Sequence, residues 1–201
     1  MPISSRELSP FLSSHKTFVE TGSSAFGYGI AAALNAGYNA VYSVEINPAD
    51  YTFCKSLFGH NPKVELTLGD CGVWLDKTLD KIAEPCTLFL DANGYSGETE
   101  SPFHASINAI IRHGAKHHVI LVDDMNHGRL HRDVMLDELR RSRDTGPQSD
   151  IINQLRRVNS DYVFYPIDTW SEDRVTCYPS WVLVADTMKG RFPAMREDEY
   201  V

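Results

Sequence analysis

Short apolar runs alternate with helix-period segments along most of the chain. Lys16 to Glu20 reads as a strand, Tyr28 to about Asn35 as a helix, and Ala40 to Ile46 as a second strand. Asn47-Pro48 is a helix start, with Asn as N-cap and Pro at the first helical position, and this helix should close at Gly59. Lys63 to Leu68 alternates polar and apolar residues as a strand does, and Val73 to Ile82 falls in helical register. Cys86 to Leu90 and Val119 to Val122 are continuous apolar runs, expected of strands covered on both faces. Between them, Phe103, Ile107, Ile110 and Ile111 mark one face of a helix. Further helices are expected over residues 133–141 and 150–158. Two strands, Tyr162 to Ile167 and Trp181 to Asp186, are close enough to pair as an antiparallel ribbon at a sheet edge. The pattern predicts an α/β fold: a doubly wound, mostly parallel sheet with helices on both faces and an antiparallel terminal strand pair.

The length of 201 residues suits one domain, taken here as residues 1–201. Residues 1–15 form an N-terminal cap segment in this reading, with a short helix over the sheet edge or the ligand, and residues 188–201 a loose tail. Hydrophobic residues make up 42% and charged residues 23%, as in an ordinary globular protein. The net charge of −8 argues against a nucleic-acid surface, which is usually basic. No apolar run approaches the ~20 residues of a membrane span, and the first residues lack a signal-peptide pattern. Cys54, Cys71, Cys86 and Cys177 are scattered, as reduced thiols of a cytoplasmic protein would be.

The candidate chemistry lies where predicted strands end. Glu20, Glu45, Asp70, Asp91, Asp123 and Asp124 all fall at the carboxyl ends of predicted strands, the rim on which open α/β sheets bind ligands. The turn Gly22-Ser23-Ser24-Ala25-Phe26-Gly27 has the glycine spacing of a phosphate loop. Tyr28-Gly29 stands where such a loop needs Lys-Ser/Thr, so a kinase or NTPase of that type is disfavoured. The dinucleotide fingerprint does not fit either. An acid at Glu20, just before the glycines, repels a pyrophosphate and suits an ammonium group. Adenine, ribose and an amino-acid end without phosphate, as in S-adenosylmethionine, answer these demands.

Phe18-Val19-Glu20-Thr21-Gly22 through Gly27 and Gly29, then Val41 to Glu45, Gly69-Asp70, Leu90-Asp91-Ala92-Asn93 and Val122-Asp123-Asp124, resemble a class I S-adenosylmethionine-dependent methyltransferase with its Rossmann-like sheet. The nearest resemblance is to small metal-dependent O-methyltransferases of the macrolide-sugar, rhamnosyl and cephalosporin-pathway type. The resemblance implies that Glu20, Thr21, Gly22, Ser23, Ser24 and Gly27 hold the methionine end of the cofactor. It implies that Glu45 and Ile46 meet the ribose and its surroundings, that Gly69, Asp70 and Cys71 lie at the adenine, and that Asp91 borders the cofactor. Asp91, Asp123 and Asp124 would bind a divalent metal, an oxygen-rich set that favours Mg²⁺.

Where relatives often carry a histidine after the first metal-site acid, this chain has Asn93-Gly94. His127 or His131, just beyond the paired acids, could then serve as base or substrate contact, and the candidate catalytic set is Asp91, Asp123 and His127. His104, His117 and His118 read as surface residues. The expected partner is a small hydroxylated acceptor, with no nucleic acid or membrane and with a neighbouring subunit able to close the site. Competing readings are an RNA or protein methyltransferase, or a non-catalytic S-adenosylmethionine-binding protein of the same fold.

Overall fold

The computed structural model describes residues 3–82, 84–92, 102–123, 148–169 and 180–189. Among the described residues, seven strands form one sheet: β1 (Thr17–Thr21), β2 (Ala40–Glu45), β3 (Val64–Leu68), β4 (Thr87–Leu90), β5 (Val119–Val122), β6 (Val163–Thr169) and β7 (Ser180–Asp186). Their order across the sheet is β3-β2-β1-β4-β5-β7-β6. The first five are parallel, and β7 runs antiparallel to both β5 and β6. This is the mixed sheet, mostly parallel with an antiparallel terminal pair, that the hydrophobic pattern predicts. β6, the earlier member of that pair, takes the edge, and β7 fits between it and β5.

Period-two alternation in the strands supplies both faces. Phe18, Val41, Phe89 and Leu121 pack on one side; Val19, Val44, Leu88, Leu90 and Ile120 pack on the other. The first face is covered by α1 (Ser5–Leu8), α2 (Tyr28–Ala36) and α3 (Pro48–Phe58), through Leu8, Ile30, Ala33 and Cys54. The second is covered by α4 (Cys71–Lys81), α5 (Pro102–Arg112) and α6 (Gln148–Val158), through Leu75, Leu79, Phe103, Ile107, Ile110, Ile151 and Leu155.

Helix starts follow the sequence. The Asn47 side chain accepts from the Ala49 amide at 2.9 Å, and Pro48 fills the first turn of α3. Asp70 accepts from the Val73 amide at 3.1 Å and caps α4.

In the cap segment, Leu8 and Phe11 are fully buried in the first-face core, beside α2. Burial of two apolar side chains one helical turn apart anchors the segment there. The structure corrects one expectation at His118. It is fully buried, not a surface residue, because it immediately precedes β5 and the Cys86 amide donates to its Nδ1 at 3.1 Å. Among the described residues, no helix is long and apolar enough to cross a membrane.

Candidate functional site

The connections run outward from β1 through β2 to β3 and then jump to β4 on the other flank, so the chain reverses direction between β1 and β4. A crevice opens at such a switch point, outside the carboxyl ends of the strands. Here the glycine turn crosses it. The amides of Gly22 and Ser23 donate to the Val44 carbonyl at 3.0 and 3.1 Å, which ties the turn to β2. On the other side, the Asp91 amide donates to the Thr21 carbonyl at 3.1 Å, which ties it to β4.

Gly22 has φ +87°, and a Cβ there would lie 2.7 Å from the Asp91 carbonyl oxygen. Glycine is therefore required twice, for its left-handed backbone and for the close approach of β4. Gly27, at φ +58°, is pressed against the Phe58 ring and the Cys54 thiol of α3. Ser24 also takes a left-handed conformation, at φ 54°, without glycine's freedom.

Glu45 explains how that conformation is held. Its Oε2 accepts from the Ser24 amide at 2.8 Å, and its Oε1 accepts from the Asn47 amide at 2.9 Å. A carboxylate accepts about four hydrogen bonds, so both oxygens keep capacity for a diol. The Gly69 amide donates to the Glu45 carbonyl at 2.9 Å, which brings the end of β3 to the same rim. Ile46, Leu68 and Val73 are exposed there. Cys71 is buried against the Pro102 carbonyl at 3.7 Å, and burial pushes its thiol up from the ordinary range.

Glu20 lies elsewhere than the sequence suggests. β1 continues through Thr21, which pairs with both Val44 and Leu90, so Glu20 is interior to the strand. Its side chain is 1% exposed and turns beneath the start of α2. A Cβ on Gly29 would sit 1.8 Å from Glu20 Oε1, so only glycine admits the carboxyl group there. Ser43, its register neighbour on β2, donates its hydroxyl to Glu20 Oε2 at 2.7 Å. Burial pushes the Glu20 carboxyl up to about 7; the Ser43 hydroxyl opposes that rise and the charge of Glu45 adds to it. Next to it, the buried Thr21 hydroxyl has no hydrogen-bond partner among the described residues.

Asp91 and Asp123 are brought side by side. Leu90 and Val122 are register partners, and the Asp123 amide donates to the Leu90 carbonyl at 3.1 Å. Among the described residues, no group of three His, Cys, Asp or Glu side chains is placed to hold a metal ion. Asp124 and His127 lie outside the described residues, as do the 93–99 and 125–132 segments, the expected helix at 133–141 and residues 190–201 of the expected tail.

The sequence reading missed two groups. Ser43 could have been found as a polar residue in the apolar run of β2, two positions before Glu45 and so on the same face. Gly29 was noted only for its spacing, and its role shows only when Glu20 is seen beneath it.

No family model matches the chain, and a search of curated proteins finds none that matches. Solved structures do match in fold. The O-methyltransferase from Bacillus cereus in complex with SAH has a TM-score of 0.60 at 15% identity, over 92% of this chain and 82% of that one. The methyltransferase domain of bacterial CtHen1-C has a TM-score of 0.59 at 11% identity, over 90% and 95%. The fold is that of S-adenosylmethionine-dependent methyltransferases. Spermidine synthase from Thermotoga maritima shares it as well, with a TM-score of 0.58 at 11% identity over 92% of this chain and 58% of that one. The methyltransferase fold therefore does not by itself fix the group transferred.

Proposed function

We propose that the protein is an S-adenosylmethionine-dependent methyltransferase that methylates a hydroxyl of a sugar or other small molecule with the help of a divalent metal, Mg²⁺. The observation that carries the cofactor half is Glu20: an acid just before the glycine turn, buried beneath the start of α2, with one neutral donor and a like-charged neighbour. Such a group calls for a cation close by, and an amino-acid ammonium over Gly22 supplies one. Glu45 keeps acceptor capacity for a ribose diol. Ile46, Leu68 and Val73 offer an apolar border to a base.

Reaction at oxygen is supported by the neighbouring strand-end acids Asp91 and Asp123, which with Asp124 would hold the metal. A bound divalent ion lowers the pKa of a coordinated hydroxyl and orients it. The chain's own contribution is to hold donor and acceptor in line and to exclude water, since the donor sulfonium is already activated. The deprotonating base is assigned to His127.

Titration calorimetry with S-adenosylhomocysteine, with and without Mg²⁺ and with NAD⁺ as control, tests the reading. Binding of S-adenosylhomocysteine but not NAD⁺ is expected; no binding of S-adenosylhomocysteine in either condition would overturn it. Asp91→Ala should abolish metal-dependent turnover and leave cofactor affinity nearly intact. Full turnover in that variant would remove the metal from the proposal.

A further inference from the structure

Glu20 and Ser43 are both buried. Ser43 donates its hydroxyl to Glu20, the acid two residues before the first glycine of the turn. We propose that ligand binding at this rim is coupled to release of a proton from Glu20, and that Ser43 is the positioning residue that sets the pH at which it occurs. The inference rests on the S-adenosylmethionine reading and adds to it a linkage and a residue outside the contact set.

The geometry fixes Glu20 in one place. Register pairing sets its backbone beside Ser43, and the Ser43 hydroxyl holds Oε2 at 2.7 Å. The missing side chain of Gly29 leaves Oε1 lodged against the first turn of α2. With both oxygens confined, Glu20 meets a new charge above it by changing its protonation state rather than by moving away.

The titratable groups around it do not neutralise it. Glu45 on β2 bears the same charge, and Cys54 on α3 is a thiol that burial keeps protonated. On α2, Tyr28 is an exposed phenol outside this pocket. The free protein thus holds a carboxyl group protonated to about neutral pH. An ammonium placed over the turn favours the carboxylate, and the displaced proton passes to solvent. Ser43 donates to the charged form, so its removal leaves Glu20 protonated to higher pH.

The test measures S-adenosylhomocysteine affinity by calorimetry between about pH 5.5 and 8, in two buffers of different ionisation enthalpy, so that protons released are counted. 5′-Methylthioadenosine, which lacks the amino-acid end, serves as the control. For the unaltered protein, affinity should fall on the order of tenfold per unit below about pH 7, with up to about one proton released, while the control stays flat. Ser43→Ala should move the fall to higher pH and weaken binding at neutral pH by several-fold. Ser43→Thr, which keeps the hydroxyl, should restore the original profile. A merely structural role would lower affinity equally at all pH values and for both ligands, and that result overturns the proposal.

A carbon-13 titration of the Glu20 carboxyl group gives a readout without ligand. A midpoint near neutrality that rises in Ser43→Ala supports the linkage, and a midpoint in the usual carboxylate range overturns it. Binding with a flat pH profile overturns the linkage but leaves the cofactor reading standing. Failure to bind S-adenosylhomocysteine at every pH overturns both.

Discussion

The two ends of the parallel strands bury polar groups in opposite ways. At the carboxyl ends, Glu20 has one hydroxyl donor and a like-charged neighbour, and the Thr21 hydroxyl has no partner among the described residues. At the amino ends, His118 is satisfied on both sides of its ring. The Cys86 amide can only donate, so Nδ1 accepts and the proton is on Nε2, which donates to His113 Nδ1 at 3.1 Å. The His118 carbonyl accepts from the Tyr162 hydroxyl at 2.8 Å, and the Lys116 carbonyl from the Asn159 amide group at 2.8 Å. Groups that are fully paired hold the fold together, and groups left in deficit mark where something else is meant to bind. Glu20, Thr21 and His118 are all buried, so the difference is one of satisfaction and not of depth.

The largest effect expected of this contrast is on acid stability. Burial, with His113 and His15 nearby, holds His118 down to about 3, below its unfolded value of 6.5. The folded state keeps this ring neutral, so its contribution is intact above pH 6.5 and is lost as pH falls towards 3, by up to roughly 5 kcal/mol. Denaturant titrations across that range should show a steep acid limb. His118→Asn, which keeps an acceptor for the Cys86 amide and removes the titration, should flatten it and leave S-adenosylhomocysteine affinity unchanged.

Next in size is Gly29→Ala. A methyl group 1.8 Å from Glu20 Oε1 must displace either the carboxyl group or α2. Overpacking of this kind costs about 1–3 kcal/mol. Calorimetry should show a loss of S-adenosylhomocysteine affinity of about tenfold to a hundredfold, the same energy expressed in binding. Unaltered affinity would mean that Glu20 plays no part at the rim.

Glu20→Gln should act with the opposite sign on the empty protein. A carboxyl group raised from 4.5 to about 7 destabilises the fold progressively as pH rises through that interval and fully above it. The amide should therefore stabilise the ligand-free protein by about 3 kcal/mol at pH 8 and by almost nothing at pH 4, while weakening the ligand. Equal effects at both pH values would erase the contrast between the two ends. The smallest change is Ser24→Gly. It relieves a left-handed serine worth about 1 kcal/mol, partly offset by the greater freedom of glycine when unfolded, and a small rise in melting temperature should report it.

The strands and helices were legible because apolar period and end signals agree with the final packing. Asn47-Pro48 starts α3 as its residue types require, and the run Val119 to Val122 forms β5 between two covered faces. The strand-end positions of Glu45, Asp91 and Asp123 were legible, since strand ends can be read from the same pattern. Depth was not. Whether Glu20 faces a ligand or lies under the turn depends on one additional residue of β1, and pattern reading locates strand ends no better than that. His118 was misread for a related reason: a polar residue beside Lys116 and His117 looks solvated until β4 is set next to it. Gly29 needed the three-dimensional position of Glu20 before its own requirement could be seen.

The placement of β7 has a consequence for how the chain is made. β7 follows β6 in sequence but lies inside the sheet, between β5 and β6. As the chain leaves the ribosome, strands β1 to β5 and the rim can assemble while β6 has nothing to pair with. During that interval the outer edge of β5, four apolar residues from Val119 to Val122, is an open template for another strand. A ribosome stalled before residue 180 would therefore expose the β5 edge on a particle prone to aggregate, and such a nascent chain is a natural client for chaperones.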